Sequence, residues 1–213
     1  MRPVLKWVGG KTQMLPKLEA VVRPMLTGTN TYYEPFVGGG ALAFDLAYKN
    51  TVINDANPEL INLYEVIRDD KDSLMAFLDM LRDSHGAENY YRVRGWDRDQ
   101  SRKPHVENDA ALMAARTIYL NKTCFNGLYR VNSSGFFNSP LGHTSSGAVP
   151  QLYDEDNINA LSEFLRESCI IRCGGWEDAV SDVKAGDVVF FDPPYDRDED
   201  IRTEGFVGYV RGG

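Results

Sequence analysis

Apolar and polar positions follow two rhythms along this chain of 213 residues. Short β-prone runs occupy residues 31–36, 51–55, 169–173 and 187–191, and each stops at an acid, a glycine or a proline. Longer stretches repeat their apolar residues every three or four positions. Leu60, Ile61, Tyr64 and Ile67 form one such stripe behind Asn57-Pro58, an N-cap followed by proline at the first helical position. Leu74, Phe77, Leu78 and Leu81 form a second, Ala111, Ala115 and Ile118 a third (residues 108–119, capped by Asn108), and Ile158, Leu161, Phe164 and Leu165 a fourth behind Asp156. Residues 41–48 make a further helix. Strands alternating with helices predict an α/β fold with a parallel sheet. The run 187–191 is apolar on every position between aspartates, the pattern of a strand buried on both faces in the middle of such a sheet.

The rhythm breaks near residue 83. Polar, aromatic and basic residues with turn signals follow, and the segment Tyr90-Tyr91-Arg92-Val93-Arg94-Gly95-Trp96 reads equally as an interaction surface or a solvated helix. Asn126-Gly127 between β-prone residues predicts a hairpin tip flanked by Lys122, Phe125 and Arg130. Small residues from Ser145 to Pro150 lead back to the regular pattern. The expected organisation is a discontinuous core, 1–68 and 151–213, with 69–150 inserted.

Composition changes this picture little, but charge does. A hydrophobic content of 43% and a charged content of 25% are ordinary for a folded globular chain. The net charge of −8 argues against a general polyanion binder, yet residues 84–150 carry eight Lys or Arg against five Asp or Glu. Any nucleic-acid face therefore belongs to that segment. Cys124, Cys169 and Cys173 form no C-x-x-C pair, and His85, His105 and His143 are scattered, so neither a disulfide framework nor a metal site is expected. No apolar run suits a membrane span or signal peptide, which makes the cytoplasm the expected location.

Four stretches carry chemistry. Asp192-Pro193-Pro194-Tyr195 ends the last apolar run: two prolines stop the ladder and stiffen the exit, so a carboxylate, a fixed carbonyl and an aromatic ring are presented where open α/β sheets bind ligands. That set suits a flat ring bearing an amine. Glu34-Pro35-Phe36-Val37-Gly38-Gly39-Gly40 is a strand running into a glycine turn before a helix, and Gly38-x-Gly40-x-x-Ala43 formally fits a dinucleotide fingerprint, which keeps a nicotinamide enzyme open at this point. Asp55 ends the second strand where a carboxylate accepts from ribose hydroxyls, a role common to several nucleotide cofactors. Near the N-terminus, Trp7, Gly9 and Gly10 lie between Lys6 and Lys11 in a loop suited to close approach by a ligand or backbone.

These stretches, in their order along the chain, resemble the motifs of the Dam family of DNA adenine methyltransferases, and the resemblance covers nearly the whole chain. It implies a methyltransferase Rossmann-like sheet with an inserted, mainly helical recognition domain carrying a hairpin. It also implies S-adenosylmethionine as cofactor and double-stranded DNA as partner, with transfer to the N6 amine of a flipped adenine. Residue by residue, it assigns Asp192, Pro193, Pro194 and Tyr195 to catalysis. Trp7, Gly9, Gly10, Lys11, Glu34, Pro35, Phe36, Gly38, Gly40, Asp55 and Asp178 fall to the cofactor, although Asp178 reads nearly as well as a helix N-cap. Lys6, Lys122, Phe125, Asn126, Leu128, Arg130 and Pro140 fall to DNA, with Phe125 as the wedge where relatives commonly carry Tyr. Arg130 and its hairpin are compatible with GATC. A cytosine-N4 methyltransferase shares the last motif. Family members continue beyond the strand that ends at Asp192, so the resemblance further implies a missing C-terminal segment or a companion chain; a truncated, non-catalytic DNA-binding relic is the alternative.

Overall fold

The computed structural model describes residues 1–98, 110–142 and 149–194. Asn108, His105, His143, Ser145, Tyr195 and the segment 196–213 lie outside them. Four strands form one sheet: β1 (Tyr32–Glu34), β2 (Thr51–Asp55), β3 (Cys169–Cys173) and β4 (Val188–Val189), in the order β3-β2-β1-β4 and all parallel. Tyr33 is the register point, opposite Val52 on one side and Val189 on the other.

That order has a functional consequence. The chain leaves β1 toward β2 on one side and returns as β4 on the other, so the strand order reverses between β1 and β4. Ligands of open α/β sheets bind in the crevice at the carboxyl ends flanking such a reversal. Glu34 ends β1 there, and Asp192 follows β4 on the adjoining side.

The helices are α1 (Leu15–Val22), α2 (Ala41–Leu46), α3 (Pro58–Asp69), α4 (Lys71–Asp83), α5 (Ala87–Arg94), α6 (Ala110–Thr123), α7 (Glu155–Ser168) and the short α8 (Trp176–Ala179). α3 starts as its sequence predicts: the Asn57 side chain accepts from the backbone N–H groups of Glu59 and Leu60, and Pro58 needs no such partner. Its stripe of Leu60, Ile61, Tyr64 and Ile67 is buried, and joins Leu74, Leu78 and Leu81 of α4, Ala115 and Ile118 of α6, and Ile158, Leu161 and Leu165 of α7 in one apolar cluster.

Four local expectations are corrected. The cap of α7 is Asp154, extended at φ −118° and accepting from the Asn157 N–H at 3.1 Å, which leaves Asp156 inside a first turn where a negative charge suits the helix dipole. Residues 90–96 are only half solvated: Tyr90, Val93 and Trp96 are buried in the core while Tyr91 and Arg92 are exposed. Asn126-Gly127 is not a hairpin tip. Both residues are left-handed, at φ 57° and 66°, but they serve to turn the chain out of α6, which runs to Thr123. The tip lies at Asn132–Gly135, where the Asn132 carboxamide accepts from Ser134 and Phe136 N–H, and antiparallel bridges Cys124↔Leu141 and Val131↔Phe137 join the arms. Finally, β4 is a terminal strand among the described residues rather than a central one, with Phe191 exposed beyond it.

The arms are tied to the body by a buried cation. Arg116 on α6 is fully buried; it donates to the carbonyls of Val93 and Arg94 and pairs with Asp97 at 2.8 Å and Glu59 at 3.6 Å. Asp97 in turn accepts from the Phe137 N–H at 2.8 Å. Removing Arg116 leaves the enclosed carbonyls of Val93 and Arg94 without this donor and takes one cation from the nearly buried Asp97, which keeps Arg98, so Arg116→Leu is expected to lower the unfolding free energy in urea by about 3 kcal/mol. An unchanged urea midpoint would show that the cluster does not hold the arms.

Candidate active site and recognition arm

The glycine turn after β1 is shaped by what lies against it. Gly38 and Gly40 are left-handed (φ 49° and 69°), and a Cβ on Gly38 would stand 2.8 Å from the Trp7 indole; on Gly39 it would stand 3.1 Å from the Trp7 Cβ. Trp7 thus occupies space that only glycines leave. The turn is held from below by Tyr64 of α3, whose hydroxyl donates to the Gly38 carbonyl at 2.5 Å. Asp55 completes it, with one carboxylate oxygen accepting from the Gly38 N–H at 3.0 Å and the other from the Asn57 N–H at 2.9 Å. Burial pushes the Asp55 carboxyl up from its ordinary value, and the backbone N–H groups of Asn57, Gly38 and Ala56 oppose that shift.

Lys11 joins the N-terminal loop to the last strand. Its Nζ lies 2.5 Å from Asp192 Oδ2 and also donates to the Gly9 carbonyl at 2.8 Å. Gly9, at φ 77°, lets the loop curl back in this way, and the Gly10 N–H closes the turn on the Trp7 carbonyl. Sequence reasoning named both ends of the Lys11–Asp192 pair but missed the pairing, because nothing in either local pattern reports a partner so distant in the chain. Pro193 and Pro194 are exposed beside it.

Glu34 lies under this pair, 4% exposed, and accepts from the Tyr32 hydroxyl at 3.1 Å. Burial pushes its carboxyl up to about 8; the Tyr32 hydroxyl and Ala43 N–H pull it down, Asp192 pushes it up further and Lys11 lowers it. Pro35 is buried, its carbonyl accepting from Asn54 Nδ2 at 3.0 Å. Phe36 faces Phe191 at 6.2 Å, and Phe191 faces Trp176 at 5.6 Å, so three rings form a rim that the sequence reading did not assemble. Asp178 sits exposed in the first turn of α8, capped by Gly175 and not by Asp178 itself, and its carboxylate makes no hydrogen bond or ion pair among the described residues. It shares this short helix with Trp176 of the aromatic rim, and the turn before the helix is tied to β2 by the Gly174 N–H, which donates to the Asp55 carbonyl at 3.2 Å.

The recognition residues fall along the exit of α6 and the arms. Phe125 is 52% exposed, and its N–H donates to the Pro140 carbonyl at 2.9 Å, which places the expected wedge beside the expected base contact. Asn126 is exposed next to it. Leu128 is half-buried and its carbonyl accepts from Ser139 Oγ, closing the two arms together. Arg130 is oriented by Asn138, which accepts from its Nε at 2.7 Å. Lys6 packs on Gly127, where a Cβ would approach its Cδ at 2.6 Å. Lys122 is half-buried; burial lowers its pKa, and the nearby charges of Lys6 and Arg2 lower it further, so a cluster of cations meets here. Asn121, which sequence reasoning passed over, staples the loop to the arm: it accepts from the Lys6 N–H and donates to the carbonyls of Lys6 and Gly127, all within 3.1 Å. Its signal was its position, an amide in the last turn of an apolar helix, but a buried Asn cannot be told from an exposed one by type alone.

An open parallel sheet with a glycine turn, a held acid at the end of β2 and an Asp-Pro-Pro exit beside the strand reversal is the frame of a Rossmann-like methyltransferase. The chain belongs to the D12 class of N6 adenine-specific DNA methyltransferases, whose family model matches residues 7–207. It is 41% identical to the type II methyltransferase M1.LlaDCHI of Lactococcus lactis subsp. cremoris over 92% of this chain and 66% of that protein. It is 38% identical to the type II methyltransferase M.MjaIII of Methanocaldococcus jannaschii over 99% of this chain and 74% of that protein. The DNA adenine methylase of Serratia marcescens is 31% identical over 91% of this chain and 67% of its own length. The chain thus spans about two thirds to three quarters of these relatives. Among the described residues, no helix is long and apolar enough to cross a membrane, and no three His, Cys, Asp or Glu cluster as metal ligands.

The buried carboxyl of Glu34 generates a pH prediction. Its folded pKa of about 8 stands above its ordinary value of 4.5, so the folded state binds that proton more tightly. The stability this contributes is fully present below the ordinary value and is lost as the pH rises through about 8. Between pH 6 and pH 8.5 the wild type should therefore lose more stability in urea than Glu34→Gln does. Equal losses would mean that Glu34 is ionised in the folded protein throughout.

Proposed function

We propose that this chain transfers a methyl group from S-adenosylmethionine to the N6 amine of an adenine flipped out of duplex DNA. The observation that carries the reading is the Lys11–Asp192 pair at the strand reversal, with the glycine turn and Asp55 beside it. The residues present fit the cofactor: a left-handed glycine turn packed against Trp7 and Phe44, a half-buried acid at the end of β2 for a ribose diol, and the aromatic rim of Phe36, Phe191 and Trp176 for an adenine face. When bound, S-adenosylmethionine supplies an electrophilic methyl group. Trp7, Gly9, Gly10, Lys11, Glu34, Pro35, Phe36, Gly38, Gly40, Asp55 and Asp178 are assigned to holding it, with Asp178 on the same short helix as Trp176.

The rest is done by the chain's own groups. Lys11 holds Asp192 through Oδ2, which leaves Oδ1 for one hydrogen of the target amine. The Pro193 carbonyl accepts the other, and the nitrogen lone pair is thereby turned toward the methyl donor. Direct displacement needs alignment above all, so fixed acceptors supply most of the effect. Tyr195 is assigned to the face of the flipped ring. Phe125 fills the gap the base leaves, at an unstacking cost of about a few kcal/mol. Arg130, held by Asn138, reads a guanine edge. Residues 69–150 act as the DNA-reading part of the molecule on the 1–68 and 151–213 core, with Lys6 and Lys122 at the phosphates and GATC the first site to test.

The purified chain, incubated with labelled S-adenosylmethionine and unmethylated DNA, is expected to yield N6-methyladenine on base analysis. Asp192→Ala should reduce the rate about a hundredfold or more, by loss of a fixed acceptor. Lys11→Met should lower kcat by about tenfold at saturating DNA, the size expected when one charge-assisted contact is lost. Methylcytosine as the product would replace this reading with the cytosine-N4 one, and the absence of transfer by well-folded protein would overturn activity of the 213-residue chain alone.

A further inference from the structure

The aromatic side chain of Tyr129 sits where three parts of the molecule meet. It lies on the outgoing arm of the hairpin, one residue before Arg130, and is 7% exposed. Its ring faces Trp7 with centroids 4.9 Å apart, and on its other side it meets Phe137 of the returning arm edge-on at 5.5 Å. Its hydroxyl donates to Glu59 Oε2 at 3.0 Å. Glu59 belongs to the first turn of α3, directly after the Asn57 cap whose N–H binds the Asp55 carboxylate. Arg116 extends the link, since it pairs with both Glu59 and Asp97, and Asp97 holds the Phe137 N–H.

One side chain therefore touches the indole that covers the glycine turn, the helix that follows the ribose-side acid, and both arms that carry the DNA-reading residues. The staple made by the Asn121 side chain fixes Lys6 to Gly127 through their backbone groups. A displacement of the indole or of the α3 N-terminus can reach Arg130 through Tyr129 by contact alone.

Resting on the function proposed above, we propose that Tyr129 is a positioning residue that couples the two ligands: filling the cofactor side sets the arm for DNA, and DNA on the arm sets the cofactor loop. Such coupling is reciprocal, so it is measured the same from either end.

The test uses the intact chain, S-adenosylhomocysteine as the cofactor-side probe, and an unmethylated duplex containing every four-base sequence. Calorimetric titration gives the affinity for each ligand alone and in the presence of the other. The wild type is expected to bind each ligand about tenfold tighter when the other is present, within the usual range of such couplings. Tyr129→Leu should bring that factor down to about twofold or less while each ligand bound alone keeps its affinity within about twofold. Tyr129→Phe, which keeps the ring on Trp7 and loses what the hydroxyl holds, the Glu59 bond and the Asn57 side chain among it, should give an intermediate factor of about threefold, so the inference stays testable if the leucine variant does not fold. A wild-type coupling retained in both variants, or in the phenylalanine variant where only that one folds, overturns the role of Tyr129 and leaves the proposed function standing. If the wild type binds neither probe, both readings fall together.

Discussion

The N-terminal loop keeps its place because an indole fills the space that two glycines leave empty. Trp7 covers the turn at Gly38 and Gly39, and everything the loop delivers depends on that seat: Lys11 reaches Asp192 from one end of it, and Lys6 reaches Gly127 from the other. A side chain at Gly38 would meet the ring and would also sit in a left-handed conformation that favours glycine. The turn is thus constrained twice, by its backbone and by its cover. A site assembled from the beginning, middle and end of the chain is held by that one close packing.

Charge is used differently in the two halves of the molecule. At the strand reversal, Lys11 and Asp192 are partly exposed, and the carboxylate keeps one oxygen for another partner. Around Arg116 the charges are buried, with the arginine fully enclosed and supplied by two carboxylates and two carbonyls. A buried cluster of this kind is weak evidence for net stability but fixes geometry well, because every alternative arrangement strands a charge. What it fixes is the attachment of the hairpin arms.

The sequence showed where the motifs lie and mostly which elements carry them. β2, β3 and the start of α3 stand where their patterns place them, because a strand ending in an acid and an Asn-Pro cap are local signals with local causes. Asn126-Gly127 misled for a physical reason: the pair supplies two left-handed residues, and a helix exit needs them as much as a hairpin does. The run at 187–191 reports burial in general and not which neighbour supplies it; among the described residues only β1 pairs with β4. The contacts that join motifs were not legible at all. Trp7 on Tyr129, Lys11 on Asp192 and Asn121 on Lys6 link residues far apart in the chain, and no periodicity spans such distances.

The same long reach bears on how the molecule acquires its shape. Arg2 is tied to Asp154 and Asn157, Lys6 to Asn121, and Lys11 to Asp192. The first eleven residues leave the ribosome before every partner that holds them, and contacts of such sequence separation form late because the intervening loop must close first. The loop that would grip the methyl donor is therefore made before the segments that hold it and set only after them.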